Sequence, residues 1–312
     1  MKYFNIQDTR IALLIVFLIG SISFSVHQVQ ASERASSVSL DELEKVVQRA
    51  TKAGLSAQQI EDLVQRGRNK GLSNQQLVQL ILPAAELSEQ DLPGHIVIQK
   101  AFEGLAKGVP PNRIEPVILD LKTRIQKARD VVDPWMKKKD KEKRFLTKNG
   151  ELRTLRNLMI EATAHALSGT LSTERVADFL NHMDNNVNEE FLNSRSVAAA
   201  VRILPDLITT KEHPDISNKM LVNAINAGFT ASEFHQLPNA MEMAQNNSRL
   251  PAKAVANGFT RQIKNGIAAN QILQNLQKGN VEGGDLPPKM KQQPKGPDKP
   301  PAADKKKNGG KK

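Results

Sequence analysis

The chain has no cysteine, one tryptophan and one tyrosine, and aromatic residues make up only 4% of it. Each shortage closes off some chemistry. Without thiols there is no disulfide framework, no thiolate metal site and no cysteine nucleophile. Beyond Ala31 the aromatics are seven Phe and Trp135. Few rings remain on which a sugar or a single-stranded nucleic acid could stack. Stability therefore falls to a core of Leu, Ile, Val and Ala, which suits helices. Runs of period-two alternation are also missing, and with them the signature of strands. The expected class is all-α.

Long apolar runs are missing everywhere except near the N-terminus. There "MKYFNIQDTR" carries Lys2 and Arg10, "IALLIVFLIGSISFSV" (Ile11 to Val26) is nearly charge-free, and "VQAS" follows with Val29 and Ala31. A basic start, a short apolar run and a small-residue site make a secretory signal peptide. The run is short for a bilayer span, which takes about 20 residues. Cleavage after Ala31 and export to the periplasm or beyond are expected; the alternative is an uncleaved N-terminal anchor.

The formal charge of +11 is uneven. From Gln277 to Lys312 ten Lys face Glu282, Asp285, Asp298 and Asp304, a net of +6. Residues 277–312 are rich in Lys, Pro and Gly with almost nothing to bury, so they are expected to stay disordered. A polycationic segment of this kind attracts anionic polymers or lipid by counterion release, or serves only as a solubilising extension.

What the chain does have is a recurrent corner. In "RATKAGLSAQQIEDLV" the sequence reads as a helix end, a glycine and a capped helix start. The pattern recurs at Gly54, Gly71, Gly108, Gly228, Gly258 and Gly266, with a one-residue variant at Gly169. Glycine takes the left-handed conformation that ends a helix. The next apolar residue turns inward, and Ser, Thr, Pro or another starter opens the following helix. A small residue usually stands four places before the glycine, as at Ala50, Gly67, Gly104, Ala224 and Ala254, but not at His165 or Gln262. Ser39/Glu42, Ser56/Gln59, Ser73/Gln76 and Thr230/Glu233 have capping-box spacing.

A second pattern places Leu92-Pro93 and Leu250-Pro251 at helix starts, the first leading to "AFEGLAKGVPP" (Ala101 to Pro111). On these segments the chain resembles a loosely defined group of secreted bacterial helical-repeat proteins. The resemblance implies export and helical repeats and carries no activity with it.

Successive corners lie 17, 37, 61, 59, 30 and 8 residues apart, which is no fixed period. The expected architecture is an irregular array of helical hairpins, a degenerate α-repeat of one or two lobes. Its expected parts are a signal peptide over 1–31, one lobe over 32–132, a charged linker over 133–150 in which Pro134 breaks a helix, a second lobe over 151–276, and the tail.

Ala50, Gly54, Leu55, Ile60 and Leu63 also match the core of a DNA-binding helix-turn-helix. The corner recurs too often for one reading head, its second helix "SAQQIEDLVQR" carries acids, and export removes the chain from the chromosome. Sequence-specific DNA binding is not expected. Glu161 and His165 stand four apart on a helix, but no third ligand has metal spacing, so a surface pair is expected. His182 with Asp184, and Glu212 with His213, read as polar loop segments; His95 and His235 stand singly near helix starts; Glu189 and Glu190 would point apart. "DPWM" ahead of Lys137 reads as Trp135 packing a helix end, with a membrane-interface anchor as the alternative. No catalytic set, cofactor site or metal site is expected. The functional expectation is an exported, non-catalytic scaffold that binds another envelope protein or peptide, with the tail holding anionic envelope polymer or lipid. The alternatives are a periplasmic enzyme with a site between helices and an anchored envelope protein.

Overall fold

The computed structural model describes residues 40–138, 152–169, 171–188, 193–207 and 213–281. The signal-peptide segment, Ser39, residues 139–150 of the expected linker and residues 282–312 of the tail lie outside the described residues. The described residues form helices and no strands. In chain order they are α1 (Leu40–Lys52), α2 (Ala57–Asn69), α3 (Asn74–Glu89), α4 (His95–Ala106), α5 (Pro111–Met136), α6 (Leu152–Ala166), α7 (Thr173–Asn186), α8 (Ser194–Ile203), α9 (Pro214–Asn226), α10 (Ala231–Ser248), α11 (Ala252–Lys264) and α12 (Ala269–Gln277). A 3₁₀ turn, Leu204–Asp206, follows α8.

Odd and even helices form two rows. Each odd helix packs on the odd helices beside it, from α1 to α11. In the even row α2 packs on α4, and α6, α8, α10 and α12 stack in turn, while α5 stands between α4 and α6 and packs on both. Neighbours within the odd row run parallel: Arg49 late in α1 bonds Glu89 late in α3, and Arg175 early in α7 bonds Asn218 early in α9. Partners within a hairpin run antiparallel: in α5 and α6, Arg156 meets Asp133 and Arg124 meets the Ala164 carbonyl.

A period does exist, but it is carried by helix starts and not by glycines. Odd helices begin at 40, 74, 111, 173, 214 and 252, at intervals of 34, 37, 62, 41 and 38. Even helices begin at 57, 95, 152, 194, 231 and 269, at intervals of 38, 57, 42, 37 and 38. One hairpin, α5–α6, is longer than the rest. The expected irregularity arose because the α3–α4, α7–α8, α8–α9 and α10–α11 connections carry no glycine at their corners and because Gly258 was not a corner.

The corners follow helix-end geometry. Gly54, Gly71, Gly108, Gly228 and Gly266 all have φ between +68° and +92°. At Gly54, the glycine N–H bonds the Thr51 carbonyl and the Leu55 N–H bonds the Ala50 carbonyl, a Schellman pair. Gly279 makes the same corner after α12. Asp91 and Arg249 take left-handed φ of 56° and 58°. At Asp91 the same bond pair forms without glycine, Asp91 N–H to the Ser88 carbonyl and Leu92 N–H to the Leu87 carbonyl, whereas at Arg249 the Leu250 N–H bonds the Ser248 hydroxyl instead. The preceding small residue has a specific reason at two corners. A Cβ on Gly67 would stand 2.4 Å from Leu77 Cδ2, and one on Gly104 would stand 2.8 Å from Ile114. The small residue makes room for the apolar side chain that opens the next helix.

Three expectations need correction. Gly258 is not a corner: it is buried inside α11, which runs unbroken to Lys264. Stopping there would leave too short a piece before Gly266 to hold a helix of its own. Gly169 lies in the turn after α6 without a left-handed φ, where an added Cβ would stand 3.1 Å from Pro205 Cβ. Pro134 does not break α5, which continues to Met136. Pro134 is exposed, so water can serve the carbonyl whose helical bond it removes. The buried apolar residues from Leu43 to Leu276 also form one connected core, which does not part at 133–150.

Candidate interaction surface

Two clefts lie side by side where α5 crosses α7. One of about 330 Å³ runs past Trp135 and Leu180; one of about 620 Å³ runs past Arg124, Lys127 and Leu171. They share Asp130, Val131 and Thr173 and so make one trough. The trough has an apolar floor and a rim with both signs of charge. Trp135 is buried and donates its Nε1–H to Asp184 Oδ1 at 3.0 Å. This is a packing role, so Trp135 does not lie at the surface as a membrane anchor. Asp184 and His182 belong to α7 and not to a loop.

A third cleft, about 590 Å³, opens between α1 and α2 at the array's first hairpin, with Leu43, Val47 and Val64 between Glu44, Glu61 and Arg68. Within the array the equivalent faces are covered by the neighbouring hairpin.

Polar side chains of distant sequence meet around His165. Arg124 donates from Nη1 to the Ala164 carbonyl at 3.1 Å and from Nε to Asp120 at 2.9 Å, which fixes it beside His165. His165 is an exposed residue, but partial desolvation of its imidazole against the helices holds it below its usual range, and Arg202, Arg124 and His235 push it the same way against the opposing pull of Asp206. The expected partnership of Glu161 with His165 is not formed. Glu161 instead faces His95, Nε2 to Oε1 at 3.2 Å, between α6 and the start of α4. His213 precedes α9, while Glu189, Glu190 and Glu212 lie outside the described residues. No three metal-ligating side chains converge among the described residues.

Sequence reasoning missed the influence of Arg124 and Arg202 on His165 because it depends on three helices being stacked. The nearest signal was the i, i+4 spacing of Arg124 from Asp120. A tighter local cluster was also overlooked: Lys100 and Lys107 both bond Glu103 and hold its carboxyl down at about 2.

No protein-family description, curated protein or solved structure matches the chain. Among the described residues no helix is long and apolar enough to cross a membrane.

Proposed function

We propose that this chain is an exported, non-catalytic scaffold of the cell envelope that holds a protein or peptide along its helical array. The observation that supports this best is the trough between α5 and α7: open along its length, apolar in its floor and polar at its rim. Stacked hairpins present extended surfaces of this kind to elongated partners. Export rests on the N-terminal sequence pattern, and attachment to anionic polymer or lipid rests on the lysines of the tail.

A photo-crosslinking residue at Lys127 or Ala177, both lining the trough, is expected to capture one discrete envelope partner. The same residue at Lys70, on the exposed end of α2, is expected to capture none. Equal capture from all three positions would overturn the trough as the binding surface. N-terminal sequencing of the fractionated protein tests export. A mature start at Ser32 in the periplasmic fraction is expected, and an intact Met1 on cytosolic protein contradicts it.

A further inference from the structure

Pro134 stands in the wall of the trough between α5 and α7, inside α5. A proline has no backbone N–H, so the Asp130 carbonyl lacks the donor that a regular helix supplies four residues on. Asp130 and Pro134 both border the trough. The proline ring crowds that carbonyl and turns it out of line with the helix axis. Proline is the least favourable residue a helix interior can carry. Pro83, inside α3, is buried and fills the core. Pro134 is exposed, so packing into the core does not account for it. Pro116 and Pro238 also lie inside helices but do not border the trough.

The trough follows one face of α5. Asp120, Arg124, Lys127, Val131 and Pro134 border it and fall within an arc of about 80° at 3.6 residues per turn. From Asp120 to Pro134 that face is about 21 Å long at 1.5 Å per residue. An extended peptide of about six residues covers the same length at about 3.3 Å per residue. The floor beside this face is apolar, with Leu171 and Leu180. The acids of the rim are already engaged: Asp120 with Arg124, Asp130 with Arg129, and Glu174 with the Thr173 hydroxyl. Lys127 is exposed and forms no ion pair among the described residues.

We propose that the trough binds a peptide in extended conformation, and that the Asp130 carbonyl accepts a backbone N–H of that peptide. An extended segment keeps its N–H groups free along its length, whereas a helix spends all but those of its first turn on its own carbonyls. In the free protein the carbonyl is left to solvent; in the complex the peptide N–H takes the place that Pro134 leaves open. Alternate side chains of an extended peptide point to opposite sides. One set meets the apolar floor, and the other faces the rim, where Lys127 favours a carboxylate. The ligand is therefore a short strand of alternating apolar and acidic residues. The inference rests on the trough reading above and adds the conformation and chemistry of what the trough holds.

The test uses the purified full chain and a dansyl-labelled hexapeptide alternating leucine and aspartate. Trp135, the one tryptophan of the chain, borders the trough, so energy transfer from it to the dansyl group reports binding there. Ala177→Arg, which fills the trough, is expected to abolish the transfer. Pro134→Val keeps an apolar side chain and restores the N–H. It is expected to raise Tm, because α5 regains a bond, and to weaken the peptide by about three- to tenfold, the worth of one hydrogen bond. The same peptide N-methylated at every amide has no N–H to give, and its binding to the parent chain is expected to fall by at least about tenfold. This arm needs no variant and stands whether or not the substitutions fold, which helical circular dichroism checks. Lys127→Gln is expected to weaken binding and to flatten its salt dependence. Transfer lost in Ala177→Arg but equal in Pro134→Val and the parent would overturn the inference and leave the trough as a docking surface. Undiminished binding of the N-methylated peptide would do the same. No transfer to the unmethylated peptide would also overturn the inference, and crosslinking from Lys127 then decides separately whether the trough reading falls with it.

Discussion

The junction between α4 and α6 and the stack from α8 to α12 solve the same problem with different materials. In the stack, repeats of 37 and 38 residues bring Phe229, Phe234 and Phe259 together from a corner and two helices. Phe229 and Phe259 meet edge to face at 5.6 Å. At the junction the repeat is lengthened, α5 stands between α4 and α6, and charged groups add to the apolar contacts. Arg156 grips Asp133 through two bonds of 2.7 and 3.0 Å and donates a third to the Asp91 carbonyl. His95 faces Glu161 nearby. Where the period holds, apolar side chains interlock with little polar help; where it is interrupted, ion pairs and a bond to a backbone carbonyl are added to an apolar core that runs on unbroken.

The contrast predicts unequal costs. Phe259→Ala removes a fully buried ring from the stack and is expected to cost about 3–5 kcal/mol in urea unfolding. Arg156→Ala leaves Asp133 and the Asp91 carbonyl without their donor, and about 2 kcal/mol is expected for this half-buried, bidentate site. If Arg156→Ala proved the costlier of the two, the division of labour drawn above would be wrong.

Corners offer a finer test. Gly54 has φ of +92° and open space around a would-be Cβ, so Gly54→Ala measures backbone strain alone, about 1–2 kcal/mol. Arg249 already bears that strain, and Arg249→Gly is expected to return about 0.5 kcal/mol, seen as a small rise in Tm. Equal effects of the same sign at both positions would show that left-handed geometry is not what these corners demand.

The His165 cluster should show in pH dependence. Its imidazole binds protons less readily in the folded state than in the unfolded one. The unfolded chain then holds more protons, so stability falls as pH drops through the unfolded value of about 6.5. His165→Gln is expected to flatten the stability profile between about pH 5 and 7. A profile unchanged by the substitution would mean that neither desolvation nor the charges of Arg202 and Arg124 shift this ring.

Much of the fold was legible in advance. Gly54, Gly71, Gly108, Gly228 and Gly266 were readable because a left-handed turn, an inward apolar residue and a helix cap are local demands met by adjacent residues. Ser73 with Gln76 and Thr230 with Glu233 form the full capping boxes their spacing suggested. Gly258 misled because the same letters, glycine then phenylalanine then threonine, also suit a tightly packed helix interior. Asp91 and Arg249 went unseen as corners because the packing around them holds a strained conformation that their side chains do not advertise.

The sequence by itself determined the helical class and the places where most helices end, since caps, turns and apolar spacing act over a few residues. Only the tertiary structure decided that odd and even helices form two rows, that Glu161 faces His95 instead of His165, and that Pro134 borders the trough between α5 and α7. Those outcomes depend on which helices stack, and stacking follows from apolar surface buried between segments tens of residues apart.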